Sequence, residues 1–296
     1  MIVSRIMGGL GNQLFCYAAA RRLSLVSETE LVIDDVSGFA YDNTYQRKCQ
    51  LDHFNIPCRK ATSMERLEPC SRVRRYLKRA INHLRPFGGR SYIQQESVEF
   101  DSRLLDVRLN GRSIYLEGYW QSELYFKDIE DVIRRDLQIT PPRDSQNLVM
   151  ALKIRNCTSV AVHVRFFDAL NELVASNSNV PSNYYARAIA KMDSIVPDAH
   201  YFIFSDQAAD ACSLVPLSTE RFTVVDHNEG DKSAYADLWL MTQCQHFIIA
   251  NSTFSWWGAW LAHYCDKCVI APDLEIREGK MSWGFDGLLP DEWLKL

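Results

Sequence analysis

Residues 159–165 read SVAVHVR, apolar at nearly every position and ending on an arginine. A strand with one wet face alternates apolar and polar residues, whereas an almost unbroken apolar run of this length marks a strand buried on both faces. Four stretches downstream read the same way: HYFIFSD (200–206), FTVVD (222–226), HFIIAN (246–251) and CVIAP (268–272). Helical patterns separate them, namely SNYYARAIAKMDSI, QAADACSL, SAYADLWLMTQC and STFSWWGAWLAHY. Strand and helix in alternation build a parallel, doubly wound α/β sheet, and that is the fold expected for the second half.

The first half is looser. Candidate strands are IVSRIM at the start, ELVIDD (30–35) and SIYLEGYW (113–120), with helices expected at 12–26 and 122–136. ITPPRDSQN (139–147) reads as a linker, because two prolines and a polar run end a helix. The chain has 296 residues, 47% of them hydrophobic, which is ample for two cores. Two domains are therefore expected, 1–145 and 146–296. The net charge of −4 argues against nucleic acid as a main partner. No apolar run approaches the roughly 18 residues of a membrane span. No apolar signal core follows the N-terminus, so a cytoplasmic protein is the expectation. Nine cysteines, an odd number, cannot all pair within one molecule. Cys265 and Cys268 form one C-x-x-C, and Cys244, His246 and His263 lie near it in sequence. Without a second pair the simpler reading is small buried residues around a strand.

Near the N-terminus, MGGLGNQLFCYAAARRLS (7–24) joins a strand to a helix through glycines. Gly9 and Gly11 give the G-x-G of a nucleotide-binding turn, but Leu14 stands where a third small residue belongs, and no Walker lysine follows. In the second half His163 and Arg165 share one face near the C-terminal end of their strand, the end at which open α/β sheets hold ligands. Arg165 is placed to clamp a phosphate with both arms of its guanidinium. His163 is either part of that site or a satisfied core histidine, and Asp168 follows on the exit loop. Asn251, Ser252 and Thr253 open a helix after another strand, where hydroxyls, backbone N–H groups and the helix dipole make an anion site. Phe254 stands at its mouth within reach of a base. Trp256, Trp257 and Trp260 are core residues or a stacking platform. Ser205 and Asp206 end a third strand at the same edge. D-x-D, H-E-x-x-H and G-x-S-x-G are all absent, so a bound diphosphate would be neutralised by Arg165 and helix N-termini rather than by a metal.

One segment stands apart. SRVRRYLKRAINHLRPFGGR (71–90) carries seven cations and no acid, with Val73, Tyr76, Leu77, Ala80, Ile81 and Leu84 on one helical face. Such a helix either lies on an anionic membrane surface or packs its apolar face on its own domain.

Taken in order and spacing, GGLGNQLF-YA (8–18), HVR--D (163–168) and NSTFSWWGAWL (251–261) resemble the α-1,2-fucosyltransferases, glycosyltransferase family eleven. The resemblance spans most of the chain. It implies two Rossmann-like domains facing each other across a cleft, related to the GT-B fold. It also implies a GDP-fucose donor, inversion at the fucose anomeric carbon, a galactose-like acceptor and no required metal or other cofactor. Gly9, Gly11 and Asn12 would then face the donor across the interdomain cleft. Ser252, Thr253 and Phe254 would hold phosphate, ribose or guanine; Asp168 would grip the donor or serve as the base, with Glu172 a second candidate base. The acceptor would be a glycan or lipid-linked oligosaccharide, with the protein in the cytoplasm or peripheral on the inner face of the membrane. Family members commonly read His-x-Arg-Arg-x-Asp-Tyr, where this chain has Phe166 and Ala169 for the second Arg and the Tyr. That departure motivates a second expectation, transfer of another GDP-linked deoxysugar. From other classes, a nicotinamide-dependent oxidoreductase would use Asp34 or Asp35 as its ribose-binding acid, and a sugar-binding protein would need no catalysis at all.

Overall fold

The computed structural model describes residues 1–43, 45–109, 111–166, 180–276 and 283–296. They form two compact units, Met1–Ile139 with Asp286–Leu288, and Thr140–Phe285 with Leu289–Leu296. The division falls at the head of the proline-bearing stretch. Each unit is built on its own parallel sheet.

The first sheet contains β1 (Ile2–Arg5), β2 (Leu31–Asp34), β3 (Arg59–Lys60), β4 (Tyr92–Gln94) and β5 (Ile114–Glu117), in the order β3-β2-β1-β5-β4. Helix α1 (Leu10–Val26) follows β1 and is buried along most of its length, from Leu10 to Ser24. Its far end is tied down by Asp136, whose Oδ2 accepts from the Tyr17 hydroxyl and Arg21 Nε, each at 2.7 Å. Helix α2 (Ser71–His83) lies beside β4.

The helix expected at 122–136 is shorter than its pattern suggests. Two 3-10 turns (Glu123–Tyr125 and Lys127–Ile129) precede α3 (Glu130–Asp136). Trp120 is in the left-handed region at φ 55°, and Ser122 Oγ caps the first turn by accepting from Leu124 N. The buried Tyr125 hydroxyl accepts from Asp101 N at 2.7 Å, so this segment follows its anchors rather than an α-helical period.

The second sheet contains β6 (Ser159–Val164), β7 (His200–Ser205), β8 (Phe222–Val225), β9 (His246–Ile248), β10 (Val269–Ala271) and β11 (Leu294–Lys295), in the order β11-β10-β9-β6-β7-β8. Every residue of β6 is buried, as its apolar run predicts. Helices α4 (Ser145–Arg155), α5 (Ser182–Ile195), α6 (Ala208–Leu214), α7 (Ala234–Met241) and α8 (Thr253–Leu261) connect and flank the strands. The linker expected at 139–147 gives way at Ser145 to α4, which Asp144 caps by accepting from Asn147 N at 2.9 Å. Tyr184 and Tyr185 of α5 staple this core to the sheet. The Tyr184 hydroxyl donates to the carbonyls of Ile249 (2.8 Å) and Ile270 (3.1 Å), and the Tyr185 hydroxyl donates to that of His163 (3.1 Å). Trp256, Trp257 and Trp260 are buried against one another, with ring centroids 5.0–6.1 Å apart. They are core, not a platform.

Candidate functional site

In the second unit the chain leaves β6 to build β7 and β8 on one side, then returns to place β9 and β10 on the other. The order reverses between β6 and β9, and in open parallel sheets a crevice opens at the carboxyl ends of such a pair. The sequence places its candidate residues at these ends. Arg165 and Phe166 follow β6, Ser205 and Asp206 close β7, and Asn251, Ser252, Thr253 and Phe254 connect β9 to α8.

Contacts draw the three loops together. The Arg165 guanidinium pairs with Asp206 Oδ2, while Asp206 Oδ1 accepts from Phe166 N at 3.1 Å. Both charged side chains remain about a quarter exposed, 26% and 24%, so the pair steers Arg165 without sealing it from a ligand. Ser205 Oγ accepts from Gln207 N and shapes the turn below. Ser252 caps α8, its Oγ accepting from Phe254 N at 3.3 Å, and its carbonyl accepts from Ser255 Oγ. The remaining N–H groups of the first turn, together with the helix dipole, favour an anion there. Phe254 lies over His163, ring centroids 5.6 Å apart, which joins the β6 and β9 loops. Asn251 is buried beside them. Asp168 and Glu172 lie outside the described residues.

His163 is fully enclosed, and burial, aided by the charge of Arg165, pushes its pKa down to about 3. The imidazole is thus neutral at any physiological pH and supplies no positive charge to a phosphate. Among the described residues its Nδ1 is buried with no hydrogen-bond partner.

Sequence reading missed Asp237, a lone acid in the apolar run AYADLWLM. It sits in the first turn of α7, which begins where the chain returns from the carboxyl end of β8. Burial pushes its pKa up to about 7, against one hydrogen bond from Asn228 Nδ2 at 2.8 Å. A carboxyl that changes charge near neutrality is a candidate acid, base or hydrogen-bond donor. The folded chain keeps this proton between the ordinary value of 3.8 and about 7, where the unfolded chain has lost it. The group's contribution to stability therefore falls as pH rises through that window. Asp237→Asn keeps the acceptor for Asn228 and removes the charge. Its stability relative to the parent is expected to rise from near zero at pH 4 to roughly 4 kcal/mol at pH 8, read by urea unfolding at each pH.

The first unit has a reversal of its own, between β1 and β5. Here the residue that demands glycine is Gly8, at φ 78°; a Cβ would lie 3.0 Å from both Asn12 Nδ2 and the Tyr119 ring. Gly9 is the extended N-cap of α1, and Gly11 is buried in its first turn. Asn12 is half-buried, and its Oδ1 accepts from Gln121 Nε2 at 2.8 Å. Gln13 is a staple: its Nε2 donates to the carbonyls of Gly8 and Lys48, and its Oε1 accepts from Gln50 N. At the ends of β1 and β5, Arg5 pairs with Glu117 at 2.6 Å, and Arg79 pairs with the same oxygen.

Asp34, placed for a ribose-binding acid, is already occupied. Its Oδ1 accepts from the backbone N–H groups of Val36 and Ser37, and its Oδ2 from the Ser37 and Tyr115 hydroxyls at 2.6 and 2.5 Å. That leaves the oxidoreductase reading without its ribose contact at this position. His246 Nδ1 accepts from Cys268 N, so this histidine shapes a strand end.

The family model for glycosyl transferase family 11 matches residues 73–277. The O-antigen biosynthesis glycosyltransferase WbnK of Escherichia coli is 31% identical over 310 residues, covering 99% of each chain. An alpha-1,2-colitosyltransferase of Escherichia coli is 29% identical over 302 residues, covering 100% of this chain and 99% of that one. Among solved structures, a mutant of Arabidopsis thaliana FUT1 in complex with GDP covers 98% of this chain and 74% of its own, at 13% identity and a TM-score of 0.53, a likeness of fold. Two parallel α/β units of GT-B-like fold, the three motifs in place and the family match over most of the chain make this protein a glycosyltransferase of family 11.

Proposed function

We infer that the chain transfers fucose from GDP-fucose to a galactose-like hydroxyl in α-1,2 linkage, with inversion at the anomeric carbon. The observation that carries this reading is the sheet reversal between β6 and β9, with the Arg165 guanidinium and the N-terminus of α8 at the same edge. Together they suit a nucleoside diphosphate. Arg165 takes the developing charge as GDP departs, and the α8 terminus with Ser252, Thr253 and Phe254 holds phosphate, ribose or guanine. Asp168 or Glu172 accepts the proton of the attacking hydroxyl. Asn12 and the Gly9–Gly11 turn contribute to positioning. The acceptor is a glycan or lipid-linked oligosaccharide, a reading supported by the O-antigen relative.

Phe166 favours a second reading, because a family with arginine there has one more cation for the donor. Losing a charge-assisted hydrogen bond costs about 1.5–3 kcal/mol if nothing replaces it. With the colitosyltransferase relative, this supports another GDP-linked deoxysugar as donor. The test is to supply GDP-fucose and other GDP-deoxysugars with a panel of galactosides and measure GDP release. Turnover of a nicotinamide substrate, or no turnover of any GDP-sugar, overturns the reading.

No metal is needed in this account, since a guanidinium and a helix terminus neutralise the diphosphate. GDP at about a hundredfold its Kd is expected to stabilise the protein by about 2.7 kcal/mol, in EDTA as in buffer, by thermal melting. Stabilisation that appears only with manganese overturns the metal-free account.

A further inference from the structure

Helix α2 is turned inside out. Its two buried side chains are polar, Arg75 at 4% exposure and Asn82 at 3%, and they lie on one face. Asn82 explains the inversion: its Oδ1 accepts from the backbone N–H groups of Ser91 (2.7 Å) and Tyr92 (3.2 Å), pinning the helix to the start of β4. The opposite face carries Val73, Tyr76, Leu77, Ile81 and Leu84, all exposed, Leu84 at 87%. At 100° per residue these five fall within a stripe centred opposite Arg75 and Asn82. The packing of an apolar face on its own domain, one of the two alternatives the sequence left open, is not what occurs.

Cations line both borders of the stripe. Arg74, Lys78 and Arg85 flank one side and Arg72, with Arg79 deeper, the other; Arg72, Arg74, Lys78 and Arg85 are exposed. Long basic side chains beside an apolar stripe lay their stems along hydrocarbon and raise their charges to the headgroups. Between α2 and β4 opens a cavity of about 510 Å³, walled in part by Tyr76, Arg79, His83, Arg90 and Gln94. Its guanidiniums are paired within the fold, Arg79 with Glu117 and Arg90 with Glu96, which also lines the cavity. A helix that lies in the plane of a membrane surface needs its apolar residues gathered on one side, a polar remainder rich in Lys and Arg, and little apolar content overall. Helix α2 meets all three conditions.

We propose that α2 is an in-plane anchor that seats the first unit on an anionic lipid bilayer, with Val73, Leu77, Ile81 and Leu84 entering the interface and Arg72, Arg74, Lys78 and Arg85 meeting lipid phosphates. The occupant is lipid rather than protein by charge: the segment 71–90 holds seven cations and no acid within a chain of net charge −4. This proposal is independent of the donor, since binding to lipid needs no GDP-sugar.

The experiment is co-sedimentation of the full chain with vesicles of phosphatidylcholine and phosphatidylglycerol, beside vesicles of phosphatidylcholine alone. Partition onto the anionic vesicles is expected to exceed that onto the neutral ones by roughly several hundredfold, at about a factor of five for each of the four exposed cations. It should fall as salt rises from about 0.05 to about 0.5 M. The doubly substituted Leu77→Glu/Leu84→Glu protein should lose binding by roughly tenfold or more. Both side chains are exposed, so its melting temperature and GDP release on a soluble acceptor should match the parent. Equal binding to both vesicle types, or none to either, overturns the proposal. So does concentration-dependent self-association, read by sedimentation, that Leu77→Glu/Leu84→Glu abolishes, since a second copy would then cover the stripe.

Discussion

Arg165→Ala is expected to lower kcat/KM by about a thousandfold or more while the melting temperature moves by no more than a few degrees. The two halves of that expectation come from different observations. Stability is insensitive because the side chain lies beyond the last residue of β6 and is a quarter exposed, and its ion pair with Asp206 is partly solvated. Such a pair contributes about 0–1 kcal/mol. Activity is sensitive because one oriented donor at a developing charge contributes about 2.7–4 kcal/mol, and a guanidinium offers two. Arg165→Lys separates charge from geometry. An ammonium is a point charge that cannot hold Asp206 and two phosphate oxygens with one planar fork, so it should recover no more than about tenfold of the loss. Steady-state kinetics beside thermal melts decide the matter. Near-native turnover in the Lys protein would dismiss the fork, and a collapse of the melting temperature would make Arg165 a structural residue.

Several features of this site were legible in the chain for a physical reason. A strand buried on both faces has no room for polar residues, so β6, β7 and β9 are written as apolar runs, and whatever polar residue ends the run stands at a carboxyl edge. Arg165, Asp206 and Ser252 were found in that way. Short edge strands carry no such signature: β3 and β11 have two residues each, and nothing in RK or LK marks a strand. Helix α4 was hidden because Leu148, Val149 and Leu152 face outward while Ala151 and Ile154 face inward, so its apolar residues run round the helix without a single stripe to read. The same blindness applied in reverse to α2, whose period was plain while its orientation was not. Periodicity locates an apolar face, but only the bonds made by Asn82 reveal that the face points away from the core. Asp237 was invisible because its unusual acidity arises from neighbours brought together by folding, not from its sequence context.

Asn12→Ala is expected to cut kcat/KM by one to three orders of magnitude, about 1.4–4 kcal/mol, with a small change in stability. The corner that holds it is overdetermined without it. Gln13 alone fastens Gly8, Lys48 and Gln50 through one buried amide, and Gly8 takes the left-handed conformation that sets the turn. Asn12 makes a side-chain bond from Gln121 at 2.8 Å, and losing a neutral, half-exposed bond of that kind costs about 0.5–1.5 kcal/mol. A residue retained only for the fold would not need to be an amide in the first turn of a helix, where Asn is an indifferent helix former. The expected kinetic effect follows from the proposal that this amide helps to position the donor. Gln13→Ala supplies the contrast: it strips three buried bonds, each about 1 kcal/mol or more, and should lower the melting temperature well before it lowers the rate per folded molecule. If Asn12→Ala instead behaves like Gln13→Ala, with normal kinetics and a lowered melt, the glycine corner is a hinge of the fold and takes no part in transfer.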